Sequence, residues 1–473
     1  MKTLSEFKNI PRITKVSQSV MSYKFWIATL FVNYVFIDFA RRFFEGEQKL
    51  LILLDINIVV IFLIFFYKKR IKLKHTVSIS ILQFTLALYI GMIIIQVGNF
   101  SMPDMVTTLA GIRAYLLPVP FLWIGYCIAR QRKIQSIEKA SKLIFSLSFI
   151  AISFGCYMFL TDSSVFSGTI RSLITPLGHA MHSFNGTPQE LVSSFFASSS
   201  RFSMFLLIAY LFIWGEKKWQ GKPVLLLFVL FLVGFIMAGN RTGFFIFILF
   251  NIIVALYFYK RRLLVFIFIS AFSGSVYYLI DSIVAVEDAA TVNSDLSVRM
   301  DYMIDDFSEY VKRVDQALPI SRIKTENNNL FFGMGLGKYG QEARLSPSIE
   351  SEANDLYLSF FEDKNQYPSH DSGLVKLMIE IGLIGVLLFC LFFGAVIINS
   401  FIAIARGARC NDYFTFAIGW FPIFWLSLFL KGHPVISDIF TSSVLYMSIG
   451  FILAGACSGL TNFITPQQIK TTI

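Results

Sequence analysis

The segment LVKLMIEIGLIGVLLFCLFFGAVIINSFIA, residues 374 to 403, is the longest of twelve apolar stretches in this chain. About 20 apolar residues are enough for one helix to cross the hydrocarbon core of a bilayer. The other stretches run roughly from 24 to 44, 50 to 67, 76 to 98, 107 to 128, 141 to 161, 202 to 214, 224 to 238, 243 to 259, 263 to 280, 413 to 430 and 435 to 457. Their recurrence along the chain predicts an all-α polytopic membrane protein with about 12 transmembrane helices.

Composition excludes the other broad classes of protein. Of the 473 residues, 55% are hydrophobic and 15% are charged, and Phe occupies 52 positions. An average soluble domain carries about a quarter charged residues, so a soluble enzyme of this composition has no way to bury its apolar surface. A disordered chain is excluded as well, because disorder requires low hydrophobicity.

Basic residues indicate the orientation in the membrane. Five loops carry basic clusters, namely KKRIKLK (68 to 74), RQRK (130 to 133), EKKWQGK (216 to 222), KRR (260 to 262) and RGAR (406 to 409). With a cytoplasmic N-terminus all five fall inside, as the positive-inside rule requires, and Arg41 and Arg42 are the exception. The net charge of +11 is therefore an orientation signal, and no nucleic-acid partner is predicted.

This topology divides the chain into three regions. Residues 1 to 280 hold nine spans and an outside loop at 162 to 201, residues 281 to 373 form a large outside loop between spans nine and ten, and residues 374 to 473 hold three spans and a cytoplasmic tail. No cleavable signal precedes the first span, which we expect to remain as a helix. The two outside loops are large enough to hold a site, and we expect the chemistry there.

Three arginines near the outer face are candidates for binding an anion. Arg241, in AGNRTG, lies between two apolar runs with almost no loop, where a charge is costly and glycines allow close approach of a ligand; an ordinary helix-end arginine is the alternative. Arg113, in AGIRAYLLPVPF, either belongs to the site or pairs with Asp104 as scaffolding. Arg299, in SVRMDYM, opens the large loop, where a lone arginine is usually a solvated charge.

His370 is the candidate proton acceptor. It precedes Asp371 and Ser372, which are natural N-cap residues ahead of the apolar run of span ten. An imidazole held at the start of a rigid helix suits proton transfer near neutral pH. The alternative is that this segment only caps the helix, and both roles are compatible.

Two other kinds of site are not predicted. The glycine-rich FFGMGLGKYG, residues 331 to 340, lacks the Lys followed by Ser or Thr of a nucleotide-binding loop and follows no predicted strand. The acidic residues of the large loop show no spacing typical of a metal site. We therefore expect no cofactor and no metal.

Four motifs carry a family resemblance. AGNRTGFFIF, SVRMDYM, FFGMGLGKYG and SHDSGLVKLMIEIGLIG occur in the order found in the O-antigen polymerase and O-antigen ligase superfamily, which the chain resembles over roughly residues 220 to 390. The resemblance implies a GT-C-like, metal-independent membrane glycosyltransferase of the bacterial inner membrane. Such an enzyme uses undecaprenyl diphosphate-linked oligosaccharides on the periplasmic side.

The resemblance also implies site residues and partners. Arg241, Arg299 and His370 match the functional trio of the family, and Arg113 has counterparts in it. Asp371 stands where the family often has Asn or Ser, so either His370 or Asp371 is the base. The lipid bilayer and the lipid-linked oligosaccharide are the implied partners, with a chain-length regulator protein as a further candidate.

The motifs are shared by two activities that differ in the acceptor. A polymerase extends a lipid-linked repeat unit, whereas a ligase transfers the glycan to lipid A-core. We favour the polymerase because of the chain length and the His-Asp form of the last motif. A lipid-linked glycan flippase is the alternative of a different class, but the strong candidates here lie at the outer mouth.

Overall fold

A computed structural model gives the architecture of the chain. It describes residues 29–36, 55–56, 58–60, 63, 77–98, 105–130, 134–160, 182–184, 187–189, 194, 196, 199–216, 223–238, 240–258, 323–324, 329–339, 357–361, 373–410, 412–430, 435–436 and 438–461. The described residues are mostly helical. Predictions that fall on other residues, including the ninth span at 263 to 280, lie outside this part of the chain.

The main helices follow the predicted spans closely. They are α1 (Val77–Val97), α2 (Met105–Leu116), α3 (Phe121–Arg130), α4 (Ile134–Leu160), α5 (Ser199–Trp214), α6 (Pro223–Ala238), α7 (Arg241–Phe258), α8 (Gly373–Cys410), α9 (Tyr413–Leu430) and α10 (Ile439–Thr461). Helices α2 and α3 together occupy the fourth predicted span. A turn at residues 117 to 120, containing Pro118 and Pro120, separates them, which is where the prolines predict a kink.

The chain is a helical membrane protein by the length and composition of these helices. Within the described residues, five segments are long and apolar enough to cross a bilayer, namely Ser80–Val97, Thr107–Ala129, Ala140–Tyr157, Gly373–Cys410 and Tyr413–Leu430. Shorter apolar helices are Ser200–Trp214, Val224–Ala238, Thr242–Phe258 and Ile439–Ala454. The helical class of the fold is confirmed, and the total of twelve spans stays a prediction.

One short hairpin departs from the all-helical expectation. Strands β1 (His182–Phe184) and β2 (Thr187–Gln189) pair antiparallel in the outer loop 162 to 201, with Phe184 opposite Thr187. The two residues between the strands in sequence are Asn185 and Gly186. Asn-Gly is the dipeptide most typical of two-residue hairpin turns, so the sequence did contain a signal for this element.

The chain divides into two units. The first comprises Met1–Lys69 and Gln131–Asn240, and the second comprises Arg70–Arg130 and Arg241–Ile473. The described part of the large outer loop therefore belongs to the same unit as α8. The division at residues 280 and 373 that the topology predicts stays a prediction.

Aromatic side chains form the core of the first unit. Phe31 makes edge contacts with Phe205 and Phe212 of α5, with ring centroids 6.1 and 5.6 Å apart. Phe196 stands 5.0 Å from Phe205, and Tyr210 of α5 stands 5.2 Å from Phe231 of α6. These rings bury large apolar areas, so burial of Phe and Tyr is the main stabilising contribution here.

Antiparallel helix pairs build the second unit. Tyr89 of α1 packs on Phe389 and Phe392 of α8, with centroids 5.7 and 6.0 Å apart. Phe393 of α8 stacks on Trp425 of α9 at 5.2 Å. A third pair, α3 with α10, approaches closely because small residues lie at the crossing. A Cβ at Gly450 of α10 would lie 2.6 Å from the backbone nitrogen of Tyr126 on α3.

Candidate functional site

The predicted site residues differ in how far the structure describes them. Arg113 lies half-buried in the last turn of α2, and it is the one predicted site residue whose side chain is described. Arg241 is the first residue of α7. Arg299, His370 and Asp371 lie outside the described residues, and α8 begins at Gly373, directly after this segment.

Helix packing brings the starts of α7 and α8 to the same end of the second unit. Along the α7–α9 pair, Phe258 meets Phe416 at 4.9 Å and Phe250 meets Phe424 at 6.0 Å, so the first residue of α7 lies level with the end of α9. At that end the ring of Phe429 covers Gly373, the first residue of α8. The backbone of Arg241 therefore lies at the end of the unit where α8 begins.

Helix α8 is broken near this end, at Gly382. This residue has φ 68° and ψ −176°, a backbone conformation that favours glycine. In an uninterrupted helix the amides of Leu383 and Ile384 would donate to the carbonyls of residues 379 and 380. Instead they donate to the carbonyls of Leu330 and Phe331, at 2.8 and 3.2 Å.

The glycine-rich loop, here residues 329 to 339, fills this break. The amide of Met334 donates to the carbonyl of Ile379 at 2.7 Å, and the amide of Gly335 donates to the carbonyl of Glu380 at 3.1 Å. Four hydrogen bonds between α8 and the loop thus replace the two intrahelical hydrogen bonds that are lost at the break. Backbone groups inside an apolar bundle must be hydrogen-bonded. The loop supplies partners for the backbone groups of α8 at the break, and α8 supplies partners for those of the loop.

Close packing against α2 explains why the loop is rich in glycine. Gly337 has φ 80°, and a Cβ at this position would collide with the carbonyl group of Thr107. From the other side, a Cβ at Gly111 of α2 would lie 2.6 Å from the amide nitrogen of Gly337. The loop backbone therefore lies directly on the helix backbone, with no room for side chains between them.

Glu380 is the polar centre of this arrangement. Its side chain is fully buried. Its Oε1 accepts hydrogen bonds from the amides of Gly337 at 2.9 Å and Tyr339 at 3.2 Å, and its Oε2 accepts one from the Tyr115 hydroxyl of α2 at 2.7 Å. A carboxylate removed from water requires partners of this kind, because an unpaired buried charge is strongly destabilising.

Two lysines bring positive charge to the same place. Lys376 stands one turn before Glu380, is 3% exposed, and has its Nζ 5.6 Å from the centroid of the Tyr115 ring, within the range of a cation–π contact. Lys338, between the two amides that Glu380 binds, is 8% exposed. Ionisable residues inside a membrane bundle are costly and mark functional sites by default. This cluster is the strongest site signal among the described residues.

Further contacts fix the loop to neighbouring elements. The side-chain amide of Gln96, at the end of α1, donates to the carbonyl of Phe332. Apolar side chains from the loop, from residues 357 to 361 and from the first turns of α8 form one core, with Leu330, Tyr339, Tyr357, Phe360, Phe361, Val375, Met378 and Ile379 as its buried members. Several distant parts of the sequence therefore hold the start of α8 in one position.

The sequence analysis did not select Tyr115, Lys338, Lys376 or Glu380. A signal was present for the last two, because Lys376 and Glu380 are charges four residues apart in an otherwise apolar run and so share one helix face. Tyr115 follows Arg113 by two residues and had no signal of its own. Among the described residues no three His, Cys, Asp or Glu side chains cluster as metal ligands, and metal independence stays a prediction.

Comparison of the chain with models of known protein families and with curated proteins finds no match. The family resemblance therefore depends on the sequence itself, through the four motifs, the predicted topology and Arg113.

Chemically, this end of the second unit combines fixed cations with hydrogen-bonding groups. Lys376 and Lys338 supply positive charge in an apolar surrounding, where electrostatic attraction is stronger than in water. The backbone around them is held by Glu380 and by the exchanged helix bonds. Such a region suits recognition of an anionic group at the membrane surface.

Proposed function

We propose that the protein is a polysaccharide polymerase of the bacterial inner membrane, a metal-independent glycosyltransferase with a GT-C-like fold of about 12 spans. It transfers an undecaprenyl diphosphate-linked glycan to the non-reducing end of a lipid-linked repeat unit on the periplasmic face. The observation that carries this proposal is the order of the four motifs along the chain, from AGNRTG to SHDSGLVKLMIEIGLIG.

The proposed reaction is a direct displacement with inversion. The acceptor hydroxyl oxygen forms a bond to the anomeric carbon while the bond from that carbon to the diphosphate oxygen breaks. His370, or alternatively Asp371, takes the hydroxyl proton as general base. Arg241 and Arg299, assisted by Arg113, bind the departing diphosphate, whose negative charge planar guanidinium groups pair with bidentately.

The described geometry supports this proposal in two ways. The third motif packs into the fourth through the exchanged hydrogen bonds at Gly382, and α7, which carries the first motif from Arg241 onward, begins at the same end of the unit. Lys376 beside the Tyr115 ring and the buried Lys338 of the loop add positive charge to this region, which favours an anionic substrate such as a lipid diphosphate. A chain-length regulator protein is a proposed partner in the membrane.

Deletion of the gene tests the proposal and separates it from the alternatives. For a polymerase, the surface glycan should fall to a single repeat unit. Loss of glycan from lipid A, with polymer accumulating on its lipid carrier, would identify a ligase, and arrest before the periplasm would identify a flippase. Restoration by the wild-type gene on a plasmid, but not by His370→Ala at equal membrane abundance, is the control that attributes the phenotype to this chain.

A further inference from the structure

Glu380 connects three parts of the chain that lie far apart in sequence. It is fully buried, and it accepts hydrogen bonds from two amides of the glycine-rich loop and from the hydroxyl of Tyr115. None of these three bonds is needed to form α8 itself. The side chain serves contacts between elements.

The two amides that Glu380 binds flank Lys338 on either side. Fixing the amides of Gly337 and Tyr339 on one carboxylate oxygen fixes the backbone of the residue between them. Lys338 is the cation of the loop and is 8% exposed. The backbone position from which the Lys338 side chain extends therefore depends on the reach of the Glu380 side chain.

The two halves of the glycine-rich loop are bound to α8 in different ways. Backbone bonds hold the first half of the loop, residues 330 to 335, in the gap of α8. In the second half, residues 336 to 339, the amides of Gly337 and Tyr339 donate to the Glu380 carboxylate. Without an acceptor at this point, two buried amides would lose their partner.

We propose that Glu380 is a positioning residue for the glycosyl transfer: it acts by the reach and hydrogen-bond acceptance of its side chain, holding the second half of the glycine-rich loop and Lys338 beside the start of α8. It takes no proton from the substrate and makes no contact with it. The inference depends on the proposed function for its activity readout only, because the position of the loop is measurable without any substrate.

Three substitutions of Glu380 separate reach from charge. Glu380→Gln keeps the length and an acceptor oxygen while removing the charge, Glu380→Asp keeps the charge while shortening the side chain by one methylene, and Glu380→Ala removes both. If the residue acts by position, the Gln variant retains function and the Asp and Ala variants lose it. If it acts as a charged or proton-accepting group, Asp retains function and Gln loses it.

The loop position is read by maleimide labelling of purified protein in a cysteine-free background that retains wild-type activity. Leu336→Cys, at a loop position 1% exposed, reports on the loop. Asn329→Cys at the exposed start of the loop should label in every variant, and Ser448→Cys, buried in α10, should stay protected in every variant and so confirms the global fold. Ser400→Ala, a fully buried hydroxyl of α8 that bonds only within its own helix in the described contacts, is the matched control.

We expect the labelling rate at position 336 to rise at least about tenfold in the Ala and Asp variants, because buried amides without an acceptor favour opening of the loop. The labelling rate should stay near that of the wild type in the Gln variant and in Ser400→Ala. Polymerisation should be retained in these two variants and lost in the Ala and Asp variants of Glu380. Unchanged protection in both Ala and Asp overturns the inference, as does a Gln variant that is protected but inactive. If the wild type makes no polymer, the proposed function fails while the labelling result still decides the role of Glu380.

Discussion

His370 and Asp371 directly precede α8 in the sequence, and we expect different roles for them: general base for His370 and helix N-cap for Asp371. A general base contributes about 10² to 10⁴ in rate, whereas loss of a helix N-cap costs about 1 kcal/mol of stability. His370→Ala should therefore abolish polymerisation at normal membrane abundance, while Asp371→Asn, which keeps the cap, should be mild. Glycan length on gels, normalised to protein level, measures both.

The opposite pattern would reassign the base. An active His370→Ala protein beside an inactive but well-expressed Asp371→Asn protein would give the proton-accepting role to Asp371. His370 would then serve only the junction between the outer loop and the helix.

Single residues show how far sequence reasoning reaches. Arg113 was predictable as a candidate, because a charge inside an apolar run is visible without a structure, and Lys376 and Glu380 carry the same signal. The partners of Glu380 were not predictable. Gly337 and Tyr115 lie 43 and 265 residues from it in sequence, and no periodicity links positions that meet only after folding.

At the scale of elements, the break in α8 gives a sharp test. Gly382→Ala places a side chain at φ 68° and brings its Cβ into collision with the carbonyl group of Phe331. We expect the strained backbone to lower the free energy of unfolding by roughly 1 to 3 kcal/mol, and the collision to lower it further. Protein abundance and thermal unfolding of the detergent-solubilised protein should both fall.

Gly394→Ala is the matched control in the same helix. A Cβ there meets nothing within 4 Å, and alanine favours a helix over glycine by about 1 kcal/mol in water. Its unfolding temperature should equal or exceed that of the wild type. If both alanine variants behaved alike, the loop would not occupy the break.

Elements were predicted well where their cause is local. The third apolar stretch, 76 to 98, became α1 at Val77–Val97, because hydropathy alone decides where a membrane helix runs. The interruption of α8 was not predicted, because Gly382 is one of several glycines in the helix and its special conformation is imposed by a loop about 50 residues earlier. The β1–β2 hairpin was missed although its Asn-Gly signal was local.

For the whole molecule, the orientation in the membrane is the property to test. Reporter fusions after Lys74, Lys133, Lys222, Arg262 and Arg409 should report cytoplasm, and a fusion near Glu350 should report periplasm. Gln96 at the end of α1 and Glu380 near the start of α8 meet the same loop, so these two helix ends lie at the same end of the second unit.

A cytoplasmic signal at Glu350 would contradict the topology and remove the periplasmic site with it. Each fusion needs a matched immunoblot, so that a weak signal is not mistaken for a location. Agreement at all six positions would fix the orientation of α1 and α8 and of the large loop between spans nine and ten.

The exchanged hydrogen bonds at Gly382 also bear on how the chain is made. Ribosomes synthesise proteins from the N-terminus, and the loop residues 330 to 335 that bond to the break precede α8 in the chain. When α8 emerges, the groups that complete it already exist. Because of this order of synthesis, α8 need not stay in lipid with the backbone groups of two helix hydrogen bonds unpaired. A circular permutant that begins with α8 would lack this protection.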